Sequence, residues 1–183
     1  EMPRSIPLPE LLEGLPVTGV VRGALAVSGV AHDSREVQPG DLFIAISGER
    51  FDGRRFAADA VERGAVAVLA SGPEPKDLRV PWLITAEPRE LMAPLAARVY
   101  DHPDREMTVV GVTGTNGKST ISMLLRAVLD EAEMPCGLLG SLIYSFGDWS
   151  LPAERTTPES ADLFRLLRRM RDQGAEAVAM EVS

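Results

Sequence analysis

The residues best suited to chemistry lie together in Gly114-Thr115-Asn116-Gly117-Lys118-Ser119-Thr120. Glycines at both ends of a short turn let successive backbone N–H groups point inward around an anion without Cβ clashes. Lys118 adds a point charge for the outer phosphates of a nucleotide, and Ser119 a hard hydroxyl oxygen for Mg²⁺. The general phosphate-loop pattern also places a glycine six residues before the lysine. Val112 stands there, so this loop is a variant. The bland alternative is a strand–turn–helix with a chance Gly-Lys-Ser, and the flanking pattern weighs against it. Binding of a nucleoside triphosphate follows; the loop alone does not name the reaction, because switch GTPases, motors and kinases all use one.

The loop needs a strand before it and a helix after it, and the sequence supplies both. Met107 to Val112 is an apolar strand, and Lys118 to about Glu133 is a helix with Ile121, Leu124, Leu125, Val128 and Leu129 on one face. The helix N-terminus contributes unpaired donors and positive potential. Cys136 to Leu142 reads as the next strand and Ser145 to Ala153 as a loop. Pro158 and Glu159 then begin a helix with a buried stripe of Leu163, Leu166, Leu167 and Met170, stopped by Gly174. Ala175 to Val182 is a last apolar strand carrying Glu181. A strand interior rarely accepts a carboxylate without a partner, so a Mg²⁺ ligand is the better reading of Glu181 than a satisfied core acid. Parallel strands would bring Ser119 and Glu181 to one carboxyl edge, where such sites form.

An earlier set of elements precedes these. Val27 to Val30, Asp41 to Ile46, Ala65 to Ala70 and Trp82 to Thr85 read as strands. Phe56, Ala57, Ala60 and Val61 share a helical face that ends at Gly64, and Pro88 opens a helix to about Tyr100 that Pro94 should kink or split. Asp101-His102-Pro103-Asp104 is a polar break. Two domains are therefore expected, 1–104 and 105–183.

Composition sets the outer limits. Lysine plus arginine number 19 and aspartate plus glutamate 27 in 183 residues, a net charge of −8. That balance excludes a broad nucleic-acid surface, which needs a basic face, but not an anion held in a local nest of N–H groups. One cysteine, Cys136, allows no internal disulfide and reads as a small core residue. No apolar run approaches the ~20 residues of a membrane span, so a cytoplasmic protein is expected. His32 and His102 have no metal-ligand spacing. Trp82 reads as core and Trp149 as surface.

Four segments in order carry a resemblance. Asp33-Ser34-Arg35 with Pro39-Gly40-Asp41-Leu42-Phe43 and Asp52-Gly53, then the Gly114–Thr120 loop, then Thr156-Thr157-Pro158-Glu159, then Met180-Glu181-Val182-Ser183, resemble the Mur ligases, which build the peptide stem of peptidoglycan. The match is strongest to the branch adding the third peptide residue. It implies a small N-terminal α/β domain that binds the uridine nucleotide sugar (1–104), followed by the first half of a P-loop parallel-sheet ATPase domain (105–183). It implies ATP and Mg²⁺ as cofactors. It also implies amide-bond formation between UDP-N-acetylmuramoyl-L-alanyl-D-glutamate and a diamino acid, meso-diaminopimelate or L-lysine, through an acyl phosphate.

Residue by residue, the resemblance puts Gly114, Thr115, Asn116, Gly117, Lys118, Ser119 and Thr120 on ATP, with Lys118 and Glu181 catalytic. It puts Ser119 and Glu181 on Mg²⁺. It puts Ser34 and the loop Glu49, Arg50 and Phe51 on the uridine nucleotide, and Thr156, Thr157 and Ser183 on the muramoyl-dipeptide. Glu49, Arg50, Phe51 and Arg155 depart from the family's usual residues. Bland readings stand beside these: an Asx turn at Asp33, and a helix start with Thr157 as N-cap and Pro158 at N1. The expected partner is the remainder of a ligase chain, without which 1–183 should not ligate and should expose an apolar sheet edge. Alternatives are the branch of the family adding D-alanyl-D-alanine, a nucleotide-binding module without ligase activity, and an inert fragment that keeps only the uridine site.

Overall fold

The computed structural model describes residues 5–21, 23–48, 52–75 and 78–183. The chain divides into two compact units, Glu1–Tyr100 and Asp101–Ser183. Residues 101–104, placed by sequence with the first domain, belong to the second unit. The Arg171 guanidinium donates to the Asp101 carbonyl at 3.0 Å, and a 3₁₀ turn at Pro103–Arg105 packs against the helix that carries Arg171.

The first unit begins with a small antiparallel ribbon of β1 (Ile6–Pro7) and β2 (Ala26–Val27), with the short α1 (Leu8–Leu11) between them. Its main sheet is four parallel strands in sequence order: β3 (Gly29–Ala31), β4 (Asp41–Ala45), β5 (Ala67–Ala70) and β6 (Trp82–Ile84). The strand expected over Val27–Val30 is thus split at Ser28 between two sheets. The continuous apolar runs of β4 and β5 are buried throughout, as strands covered on both faces require. Phe43, Val68 and Ala70 pack with Ala57 and Ala60 of α2 (Ala57–Glu62). Gly64 follows α2 at φ +111°, a left-handed stop that its lack of a Cβ permits. The helix α3 (Pro88–Val99) runs unbroken through Pro94. Proline there costs about 3 kcal/mol, but α3 buries Leu91, Met92, Leu95, Ala96 and Val99 against the sheet, which offsets it.

The second unit holds β7 (Thr108–Thr113), α4 (Lys118–Glu131), β8 (Cys136–Leu139), β9 (Ile143–Phe146), β10 (Trp149–Pro152), α5 (Ser160–Asp172) and β11 (Ala177–Val182). The sheet order is β10-β9-β8-β11-β7, with β8, β11 and β7 parallel and β9 and β10 an antiparallel addition.

Three sequence expectations change here. The loop expected over Ser145–Ala153 is the β9–β10 hairpin, closed by Gly147-Asp148 with Gly147 at φ +54°. The strand expected to reach Leu142 stops at Leu139, turns through Gly140-Ser141-Leu142, and returns as β9. The apolar face of α4 is only half used. Leu125 and Leu129 pack on Cys136, Leu138, Ala177 and Ala179, whereas Ile121, Leu124 and Val128 are 53%, 58% and 64% exposed. The reason is position: α4 lies mainly over β11 and β8, and β7 forms the sheet edge beneath its outer side. Among the described residues no helix is long and apolar enough to cross a membrane.

Candidate functional site

β7 delivers the chain into the loop, and α4 begins at Lys118. Gly117 is the residue just before the helix, at φ +80° and ψ 0°, a left-handed conformation that a side chain would strain. Gly114, at φ +150°, starts the turn. The first helical bond runs from the Ile121 N–H to the Gly117 carbonyl, 2.9 Å. The N–H groups of Lys118, Ser119 and Thr120 precede it and have no partner within the helix. Lys118 Nζ donates to the Gly114 carbonyl at 2.8 Å, so the ammonium lies over its own loop. Buried Ser122 donates to the Lys118 carbonyl at 2.9 Å.

Parallel pairing places the acid. Glu181 is in register with Val112 of β7, so the end of β11 lies beside the start of the loop. On its other side β11 pairs with β8 as far as Met180 opposite Leu139, which brings Gly140 and Ser141 alongside Glu181. Glu181 is 2% exposed. The Ser141 N–H donates to its Oε1 at 2.9 Å and the Ser141 hydroxyl to its Oε2 at 2.8 Å. Burial pushes the Glu181 carboxyl up, but the Ser141 N–H, the Ser141 and Ser119 hydroxyls and the Lys118 charge together outweigh it and hold the group below its ordinary range. Glu181 is therefore a carboxylate at neutral pH.

A cavity of about 360 Å³ is lined by Thr115, Asn116, Gly117, Lys118, Ser119 and Thr120 together with Ser141, Thr156, Glu181 and Ser183. Gly114 and Thr157 stand just outside this lining. Thr157 donates to the Glu181 carbonyl at 3.0 Å, accepts from the Ser183 N–H at 3.0 Å, and lies 3.1 Å from the Ser183 hydroxyl. It fastens its loop to the end of β11. The expected N-cap role is not what it does: α5 starts at Ser160, with Glu159 before it making no side-chain cap, and Pro158 lies ahead of the helix. Arg155 is held by its backbone, its N–H donating to the Tyr144 hydroxyl at 3.2 Å and its carbonyl accepting the Tyr144 proton. Its guanidinium pairs with Glu159 at 2.9 Å, away from the cavity lining.

The donor set suits Mg²⁺. Among the described residues there is no group of three or more His, Cys, Asp or Glu that would hold a metal by protein alone. One carboxylate and one hydroxyl lining the same cavity fit an ion that keeps several waters and completes its shell with phosphate oxygens. Gly140 supports this fit. A Cβ there would stand 2.7 Å from Glu181 Oε1, so the glycine leaves room for the carboxylate.

Ser34 lies in the first unit, buried at the start of a 3₁₀ turn, Ser34–Glu36. Its hydroxyl is the leading cause that holds the Asp59 carboxyl below its ordinary range. Asp33 makes the Asx turn, accepting from the Arg35 N–H at 2.9 Å and pairing with its guanidinium. Asp52 repeats the device on Arg54. Gly53 beside it is required, since a Cβ would meet the Ile46 carbonyl at 2.4 Å. Glu49, Arg50 and Phe51 lie outside the described residues. Sequence reading missed Ser141 and Gly140. A glycine–serine pair just past a strand end, at the carboxyl edge of a parallel sheet, was the available signal.

The sequence matches the Mur ligase family, catalytic domain, over residues 26–100 and the Mur ligase middle domain over residues 112–183. This chain belongs to the Mur ligase family. It is 42% identical over 182 residues to the UDP-N-acetylmuramoyl-L-alanyl-D-glutamate--2,6-diaminopimelate ligase of Streptomyces coelicolor, covering 98% of this chain and 36% of that protein. A solved ligase of the same description has a TM-score of 0.76 at 22% identity, over 98% of this chain and 36% of the other. The MurF ligase of Thermotoga maritima, solved in complex with ADP, has a TM-score of 0.58 at 25% identity, over 84% of this chain and 31% of that one. The chain thus spans about a third of the length of these relatives. The Mur ligase middle-domain match takes in the whole cavity lining, from the glycine loop to Ser183.

Proposed function

We propose that this chain is the N-terminal portion of an ATP-dependent amide ligase that joins 2,6-diaminopimelate to UDP-N-acetylmuramoyl-L-alanyl-D-glutamate. The observation that carries it is the convergence of Lys118, Ser119 and Glu181 with Thr156 and Ser183 on one cavity. The loop N–H groups and Lys118 would hold the outer phosphates. Ser119 and Glu181 would hold Mg²⁺, which neutralises phosphate charge when bound. Thr156 and Ser183 would orient the acceptor so that its free carboxylate faces the γ-phosphate.

A carboxylate is a poor electrophile until one oxygen becomes a leaving group. Its oxygen takes the γ-phosphoryl group and ADP departs. The amine then attacks the carbonyl carbon, loses a proton, and expels phosphate. Holding the two reactants in line is the main service such a site can give. The first unit, with Ser34 and the Glu49-Arg50-Phe51 segment, would bind the uridine nucleotide. The substrate in the name of the Streptomyces coelicolor relative favours diaminopimelate over L-lysine and over the D-alanyl-D-alanine branch.

Calorimetry with the UDP-muramoyl-dipeptide tests the acceptor half. Binding that is lost in Ser34→Ala is expected. ATP binding with no response to any uridine nucleotide would instead favour a nucleotide-binding module without ligase activity.

A further inference from the structure

Ser141 has no part in the reading above, yet it touches both halves of the cavity. Its N–H and hydroxyl reach the two oxygens of Glu181 from one side, at 2.9 and 2.8 Å, and Gly140 leaves the space the carboxylate occupies. The same hydroxyl lies 3.1 Å from Thr156 Oγ1. A serine hydroxyl has one proton, and here two acceptor oxygens lie within its reach. That proton is shared between Glu181 Oε2, at 2.8 Å, and Thr156 Oγ1, at 3.1 Å, the carboxylate being the nearer acceptor. Ser141 thus stands as the common donor between Thr156 and Glu181, two residues that line the same cavity.

We propose that Ser141 is a positioning residue that fixes the Glu181 carboxylate for the divalent cation and couples it to Thr156 through a single hydroxyl. The proposal rests on the ligase reading of this cavity. Partners that orient a metal ligand typically change cation affinity about 10- to 100-fold when removed.

The probe is Mn²⁺ titrated into the chain with ADP present, free Mn²⁺ being read by its paramagnetic resonance signal. Ser141→Ala is expected to weaken Mn²⁺ binding about tenfold, while Ser141→Thr restores it. ADP affinity without the cation should stay unchanged in both. Ser141→Cys, with similar bulk and a weak donor, should also lose affinity, and replaces the alanine variant should that one fail to fold. Thr156→Val, which leaves the Ser141 proton to Glu181 alone, should shift Mn²⁺ affinity in the wild-type background but not in Ser141→Ala. Wild-type Mn²⁺ affinity in the alanine or cysteine variant overturns the proposal, as does an equal effect of Thr156→Val in both backgrounds. Absence of ADP binding by the wild-type chain overturns the nucleotide site itself, and this inference with it.

Discussion

Asp33 and Glu181 are both acids whose hydrogen bonds lower their proton affinity, against very different degrees of burial. Glu181 is buried, and its hydrogen bonds must overcome burial. Asp33 sits near solvent, and the Arg35 guanidinium, foremost among its causes, brings its carboxyl from 3.8 down to about 2. A carboxyl lowered on folding binds fewer protons folded than unfolded across that window. Its stabilising contribution is complete above about pH 4 and disappears as pH falls towards 2. Acid titration followed by circular dichroism should show a component of unfolding between these values that Asp33→Asn removes. A profile unchanged by that substitution would contradict the assignment. The effect should be small and weakened by salt, because Arg35 is 80% exposed. At this scale the sequence was most legible where chemistry is local, as in the glycine loop and the Asx turn. Ser141 escaped notice because its role depends on a register between β8 and β11 that no local pattern encodes. Thr157 was read as a cap because Thr-Pro-Glu is a common helix start, whereas its hydroxyl goes across 24 residues to the end of β11.

The β9–β10 hairpin is the element that positions the threonines. Its Tyr144 is buried, and the phenol both donates to and accepts from the Arg155 backbone, immediately before Thr156. Tyr144→Phe should cost about 1 kcal/mol, the net worth of a typical hydrogen bond. The cost should appear as a lower urea midpoint with an unchanged slope. An unchanged midpoint would mean that the latch contributes nothing. The hairpin was present in the sequence as Ile143-Tyr144-Ser145-Phe146, Gly147-Asp148, then Trp149-Ser150-Leu151. Its weak alternation and polar turn read as loop, and only pairing with β8 makes it a sheet extension. The longer strands and helices were legible because both periods are strong in them. Pro94 misled because α3 packs on both β3 and β4, and that packing outweighs one missing backbone bond.

Two α/β units share one chain with a net charge of −8, and the proposed chemistry asks for positive potential only at a glycine loop and one helix start. Val109 on β7 and Ile121, Leu124 and Val128 on α4 are exposed apolar side chains. Helical periodicity marked those side chains as apolar but not which of them the sheet would cover, since that depends on the strand order. The division into parallel-sheet units was legible from alternating periods, and the family from four short segments. The most direct test of the ATP site is calorimetric titration of ATP with Mg²⁺ into the chain and its Lys118→Ala variant, folded state being checked by circular dichroism. The expected result is saturable binding by the wild-type chain, weakened at least about tenfold in the variant, or ~1.4 kcal/mol. Equal affinity in the two, or no binding by either, would contradict it.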